Sequence, residues 1–144
     1  MEAALRATVV ARLKSDNQRL TRNRESLLDA LASAARPLTI PEILDARPAL
    51  AQSSVYRNLQ VLEDAETVHR IVTDDEFARF ELAEDLTEHH HHLICAECGA
   101  VEDVPASAGL EKSVRAAVAQ IARSTGFRTQ RHRIDLVGLC KRCA

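Results

Sequence analysis

Four cysteines form two Cys-x-x-Cys pairs, Cys95/Cys98 and Cys140/Cys143, in a chain of 144 residues. Two residues between thiolates let one turn present both sulfurs to a tetrahedral ion, and a second pair completes the shell. Gly99 follows directly and accepts the positive φ of a tight knuckle. The 41 residues between the pairs exceed what a compact zinc ribbon uses, so the site joins the start and end of one domain. Zinc binding of roughly 10–16 kcal/mol then dominates that domain's stability. Disulfides need an oxidising compartment, and no basic stretch with an apolar core follows Met1 to direct the chain there. A thioredoxin-like redox centre uses one such pair after a strand, not two with no cysteine to spare. Closed by four sulfurs, the site holds shape and does no catalysis.

Charge divides the chain as sharply. The formal charge of −2 is a sum of +3 over residues 1–60 (nine Arg/Lys, six Asp/Glu) and −5 over the rest (ten and fifteen). Within 6–24, Arg6, Arg12, Lys14, Arg19, Arg22 and Arg24 face Asp16 alone. Charge by itself reads this as a solvated basic helix. A basic end joined to an acidic, histidine-rich end indicates two jobs. Three Phe, one Tyr and no Trp argue against a stacking platform for single strands, but not against a reader of duplex grooves. No apolar run approaches the ~18 residues of a membrane span.

The two ends also differ in periodicity. Leu27, Leu28, Leu31 and Ala34 lie at helical spacing, closed by Arg36-Pro37. Thr39 caps a short helix with Pro41 in its first turn and Glu42 three residues on. A third helix starts near Gln52-Ser53-Ser54, with Val55, Leu59 and Leu62 on one face and Tyr56, Arg57 and Gln60 off it. Val68–Val72 and Ala78–Leu82 read as strands around the polar turn Thr73–Glu76. Three helices and a hairpin spell a winged helix-turn-helix. Further on, Leu93–Cys95 and Ala100–Val104 read as strands, Leu110–Ile121 as a helix ended by Gly126, and Phe127–Leu139 as a strand. The expected fold is α+β: a winged-helix DNA-binding domain over 1–82, a hinge at 83–88, and a small α/β dimerisation domain over 89–144 bearing the four-cysteine zinc site. One helix on a small sheet leaves an open face, which a second copy covers in a homodimer.

His89-His90-His91-His92 run straight into the first cysteine pair. On an extended strand His90 and His92 point one way, His89 and His91 the other, making two separate nitrogen-donor pairs. His69, Glu81, Asp103, Glu111 and His132 are available to complete them. No His-Glu-x-x-His helix, phosphate-cradling glycine loop or Gly-x-Ser-x-Gly elbow accompanies them, so catalysis has little support.

These residues resemble the ferric uptake regulator family of metal-responsive bacterial repressors, over about residues 18–143. The likeness runs from Arg19-Leu20-Thr21 and Arg24 through Ser54-Val55-Tyr56-Arg57-Asn58-Leu59 and the wing. It continues with the histidine run abutting Cys95-Ala96-Glu97-Cys98-Gly99, then Gly126-Phe127, His132, Gly138 and the last cysteine pair. It implies a cytoplasmic homodimer that binds a palindromic double-stranded operator when its regulatory metal is present. By motif, Cys95, Cys98, Cys140 and Cys143 hold structural zinc. Glu81, His90, His92 and Asp103 match the sensing site at the hinge, and His89, His91, Glu111 and His132 the second site. Glu111 matches only with one inserted residue after Cys98. Arg19, Arg22 and Arg24 match the basic arm, and Ser53, Ser54, Tyr56 and Arg57 the recognition helix.

Some positions depart from the family pattern. Many relatives have a sensing-site His where this chain has Pro37-Leu38-Thr39, and His69 is the expected replacement. No cysteine is spare for a zinc-uptake type of site, and Glu81 stands where peroxide sensors commonly have Asp. Both lean towards Fe(2+) or Mn(2+), with Zn(2+) or Ni(2+) also accepted by imidazole-rich sites. Glu66-Thr67 replaces the usual glycine before the wing. Alternative readings are a peroxide-responsive relative that oxidises a ligand histidine and, from another class, a metal-dependent hydrolase or metal-storage protein.

Overall fold

Hydrophobic stripes and helix caps lay down the first unit of the chain. The computed structural model describes residues Met1–Ala144 and divides them into two compact units, Met1–Glu88 and His89–Ala144. Helix α1 (Ala3–Ser15) buries Val9 and Leu13. Helix α2 (Arg22–Ala34) is capped by the Thr21 hydroxyl, which accepts from the Arg24 N–H, and buries Leu27, Leu28, Ala30 and Leu31. Strand β1 (Leu38–Thr39) leads into α3 (Ile40–Ala46), whose Thr39–Glu42 capping box and early proline are as the sequence indicates. Helix α4 (Gln52–Asp64) buries Val55, Leu59 and Leu62 and leaves Tyr56, Arg57 and Gln60 exposed. The wing follows as β2 (Val68–Ile71) and β3 (Arg79–Leu82), with β3 central in an antiparallel sheet of order β1-β3-β2. Phe80, 2% exposed, pins that sheet to the helical core.

Two details were absent from the sequence reading. Residues 6–24 are not one basic helix: α1 ends at Ser15, Asn17 turns the chain with φ 55°, and α2 starts at Arg22. Glu66 occupies the position of the missing glycine and adopts φ 53° itself. Its carbonyl accepts from the Arg12 guanidinium, which also pairs with Asp85.

The second unit is a three-stranded sheet and one helix. Strand β4 (His90–Cys95) lies between β5 (Val101–Pro105), antiparallel to it, and β6 (Asp135–Gly138), parallel to it. Helix α5 (Ala108–Thr125) makes the crossover and ends at Gly126 in the left-handed conformation, φ 73°. The strand expected over Phe127–Leu139 is shorter: only Asp135–Gly138 pairs, because β4 offers partners from His92 to Cys95 and no other strand lies beyond. The unit has little core of its own. Its buried apolar side chains are Cys95 and Val101, α5 buries none, and Leu93, Leu110, Ile121, Phe127, Leu136, Val137 and Leu139 are exposed.

Candidate metal centres and nucleic-acid interface

The cysteine site is assembled from the end of β4 and the chain leaving β6. Gly99, at φ 70°, donates its N–H to the Cys95 carbonyl at 2.9 Å and closes the first knuckle. The N–H of Cys143 donates to the Cys140 carbonyl at 2.9 Å and closes the second. All four sulfurs lie within 4.8 Å of one another, and Cys98 Sγ is 3.8 Å from Cys140 Sγ. A disulfide needs about 2 Å, whereas thiolates about 2.3 Å from a tetrahedral zinc stand about 3.8 Å apart. Backbone N–H groups, that of Cys98 first, bring the Cys95 thiol down to about 6. The N–H of Arg142 foremost lowers Cys140 as well, while hydrogen bonding to Cys140 pushes Cys143 up to about 12. Four sulfurs this close cannot all be thiolates without a cation among them, and zinc is the ion this donor set fits.

The histidine run sorts itself by strand alternation. On one face, His89 and His91 meet Glu111 from the first turn of α5 and His132 from the segment before β6, with donor atoms within 4.8 Å. Glu111 Oε1 is 2.7 Å from His91 Nε2, and Glu111 Oε2 is 3.1 Å from His132 Nε2 and 3.4 Å from His89 Nε2. His91 outweighs burial in lowering the Glu111 carboxyl. His89 Nε2 and His132 Nε2 face each other at 3.2 Å, an arrangement with room for one proton between two nitrogens and suited to a shared cation.

On the other face, His90 and His92 meet Asp103 of β5. His90 Nε2 lies 3.9 Å from Asp103 Oδ2, and His92 Nε2 lies 3.9 Å from Asp103 Oδ1. These gaps exceed hydrogen-bond length but suit ligands about 2.0–2.2 Å from one ion. His69 and Glu81 face each other across β2 and β3 in the first unit, Glu81 buried at 9% exposure. Sequence reasoning missed Asp135, whose Oδ1 lies 3.1 Å from His92 Nδ1. A lone Asp carries no motif, and only the β4–β6 pairing exposes its place.

On α4, Ser53, Tyr56 and Arg57 are exposed, Tyr56 by 56%, as are Arg19 and Arg22 nearer the N-terminus. Ser54 is half-buried and its Oγ accepts from Asn23 at 3.1 Å and Asn58 at 3.0 Å. Arg24 donates to the Asn58 side chain at 3.0 Å, the Arg19 carbonyl at 2.6 Å and Gln18 at 3.0 Å. Most of its hydrogen-bonding capacity holds α2 and the preceding loop to α4.

A winged helix presenting an open polar face, followed by a unit with a closed thiolate site and two histidine–carboxylate clusters, defines a metal-responsive DNA-binding regulator. The model for the ferric uptake regulator family matches residues 15–137, and the chain belongs to that family. Among its relatives, the ferric uptake regulation protein of Bacillus subtilis is 30% identical, over 91% of this chain and 89% of its own length. The peroxide operon regulator of the same organism is 29% identical, over 92% and 88%. A solved ferric uptake regulator from Pseudomonas aeruginosa with manganese superposes with TM-score 0.69 at 27% identity, over 91% of this chain and 96% of that one. The chain is thus a metal-dependent, DNA-binding transcriptional repressor that acts as a homodimer, with a structural zinc and a regulatory divalent metal.

Proposed function

We propose that His90, His92 and Asp103, joined by Glu81 from the winged unit and with His69 as a further donor, hold the regulatory cation. The observation that carries this reading is the convergence of His90 Nε2 and His92 Nε2 on one carboxylate at 3.9 Å each. A bound divalent cation supplies positive charge and directional bonds that carboxylates and imidazoles satisfy together. Without it, repulsion between the Glu81 and Asp103 carboxylates favours an open, weakly binding form. Neutralising them favours the form whose two recognition helices have the spacing of a palindromic operator. The oxygen and nitrogen donors favour Fe(2+) or Mn(2+) over a thiolate-preferring ion. His89, His91, Glu111 and His132 form a second metal site.

On DNA, Tyr56 contacts a base edge or thymine methyl in the major groove, Ser53, Ser54 and Arg57 lie along the same helix, and Arg19, Arg22 and Arg24 belong to the phosphate-facing arm. Membership of a family of transcriptional regulators supports a regulator that works in the cytoplasm and not an enzyme. The test is a gel-shift titration with Mn(2+) on the promoter region of the protein's own gene. The His90→Ala/His92→Ala double variant loses the metal dependence of operator affinity while keeping one zinc per chain. Undiminished metal dependence in that variant would refute the assignment.

A further inference from the structure

Strand β4 carries metal donors on both faces, but the two faces differ in what stands behind the imidazoles. His91 Nδ1 is buried with no hydrogen-bond partner. His92 Nδ1 lies 3.1 Å from Asp135 Oδ1, while its Nε2 is 3.9 Å from Asp103. Backbone pairing builds this contact: Asp135 stands opposite His92 in the parallel β4–β6 register, and the His92 N–H donates to the Ile134 carbonyl at 3.1 Å. Arg133 Nη2, 3.9 Å from Asp135 Oδ2, adds positive charge beside the same carboxylate.

A neutral imidazole has one N–H, and its partners decide which nitrogen carries it. A carboxylate only accepts, and Asp135 lies within hydrogen-bond distance of Nδ1 at 3.1 Å whereas Asp103 stands 3.9 Å from Nε2, so Asp135 holds the proton on Nδ1 and turns Nε2 to the cation position it shares with Asp103. We propose that Asp135 is a positioning residue for the regulatory metal site, fixing the ring orientation and Nδ1–H tautomer of His92. Strand β6 then runs from Asp135 to Gly138 and straight into Cys140. The Ala96 N–H donates to the Gly138 carbonyl at 2.8 Å, and the Cys140 N–H to Cys95 Sγ at 3.3 Å. The four-cysteine site therefore clamps the ends of β4 and β6 in the register that puts Asp135 behind His92, and so maintains the sensing site at a distance. The inference rests on the reading of His90, His92 and Asp103 as the sensing set and adds to it a residue that binds no metal itself.

The test uses full-length protein with its structural zinc retained, histidine-labelled with 15N and otherwise metal-free, at pH 8. Long-range 1H–15N spectra report the tautomer of each ring. Wild-type His92 shows the Nδ1–H form, and Asp135→Ala shifts it towards Nε2–H with His91 unchanged. Mn(2+) affinity at the His90–His92 site falls by about ten- to hundredfold in Asp135→Ala. Asp135→Asn, nearly isosteric and still able to accept from Nδ1, keeps the tautomer and loses less affinity, and Asp135→Glu recovers part of the loss. An unchanged His92 tautomer in Asp135→Ala, or equal affinity losses in all three variants, overturns the inference. The sensing reading fails separately, if His90→Ala leaves wild-type Mn(2+) affinity intact.

Discussion

Asp75 and Arg79 close the turn of the wing, and the pair is more than surface decoration. Arg79 is 8% exposed and donates to Asp75 Oδ2 at 2.6 Å and Oδ1 at 2.8 Å, while the Phe77 N–H donates to the same carboxylate at 3.2 Å. Arg79 foremost, against a smaller effect of burial, holds the Asp75 carboxyl well below the ordinary carboxylate range. A depressed folded value means stability present in full above the unfolded value near ~3.9 and lost as pH falls below it. Asp75→Asn should therefore cost about 1–3 kcal/mol at neutral pH in urea unfolding, and the gap to wild type should shrink on acidification through that range. A gap that stays constant below pH 4 would assign the loss to packing. From the sequence, Thr73–Glu76 was legible only as a polar turn, since a salt bridge closing a turn leaves no periodic trace. Arg24 shows the same limit: its place in the basic arm was legible, and its bonds to Asn58, Arg19 and Gln18 were not, because they depend on how α2 meets α4.

Elements were legible where local chemistry dictates them. Helices α2 and α3 have Thr caps and apolar stripes in the sequence itself, and α4 has its Val55–Leu59–Leu62 face. Helix α1 was legible only as part of a solvated basic helix over 6–24, although Met1, Leu5, Val9 and Leu13 recur every four residues against the core, because interleaved Ala3, Ala4, Val10 and Ala11 blur the stripe. Strand β6 was over-read because alternation marks an extended chain without saying where a partner ends. The histidine sites were legible in two ways: alternation separates the two donor pairs, whereas Asp103, Glu81, Glu111 and His132 were assigned to one pair or the other only through the family resemblance. At this scale the zinc site also has a measurable consequence. With Cys95 and Val101 as its buried apolar side chains, the second unit has little apolar core to add to its strand pairing, and the tetrathiolate is its main tie between β4 and the end of β6. Removing zinc with a strong chelator under reducing conditions should unfold residues 89–144 and leave 1–88 folded, seen as selective loss of amide exchange protection. Retained protection in β4 of the zinc-free protein would contradict this.

For the whole molecule, the apolar face of the second unit has a natural occupant in the homodimer. Leu136 is 56% exposed and Val137 63%, on opposite faces of the edge strand β6, and Leu110 and Ile121 of α5 add to the uncovered apolar surface. A charge placed there has to be desolvated on association, at a cost of several kcal/mol. Val137→Asp should sediment as a monomer with its zinc retained and lose most operator affinity, because one recognition helix then grips a half-site without its twin. Dimeric sedimentation of that variant would place the interface elsewhere. Strand β4 gives the molecule a rule of parity. Under the ligand assignment proposed above, His89 and His91 serve one site and His90 and His92 the other, so an inserted or deleted single residue ahead of Leu93 would exchange the two donor pairs and spoil both sites at once. Metal preference can therefore be retuned on one face only through the flanking elements, at Asp103 and Glu81 or at Glu111 and His132, while the strand between them is shared ground that neither site can alter alone.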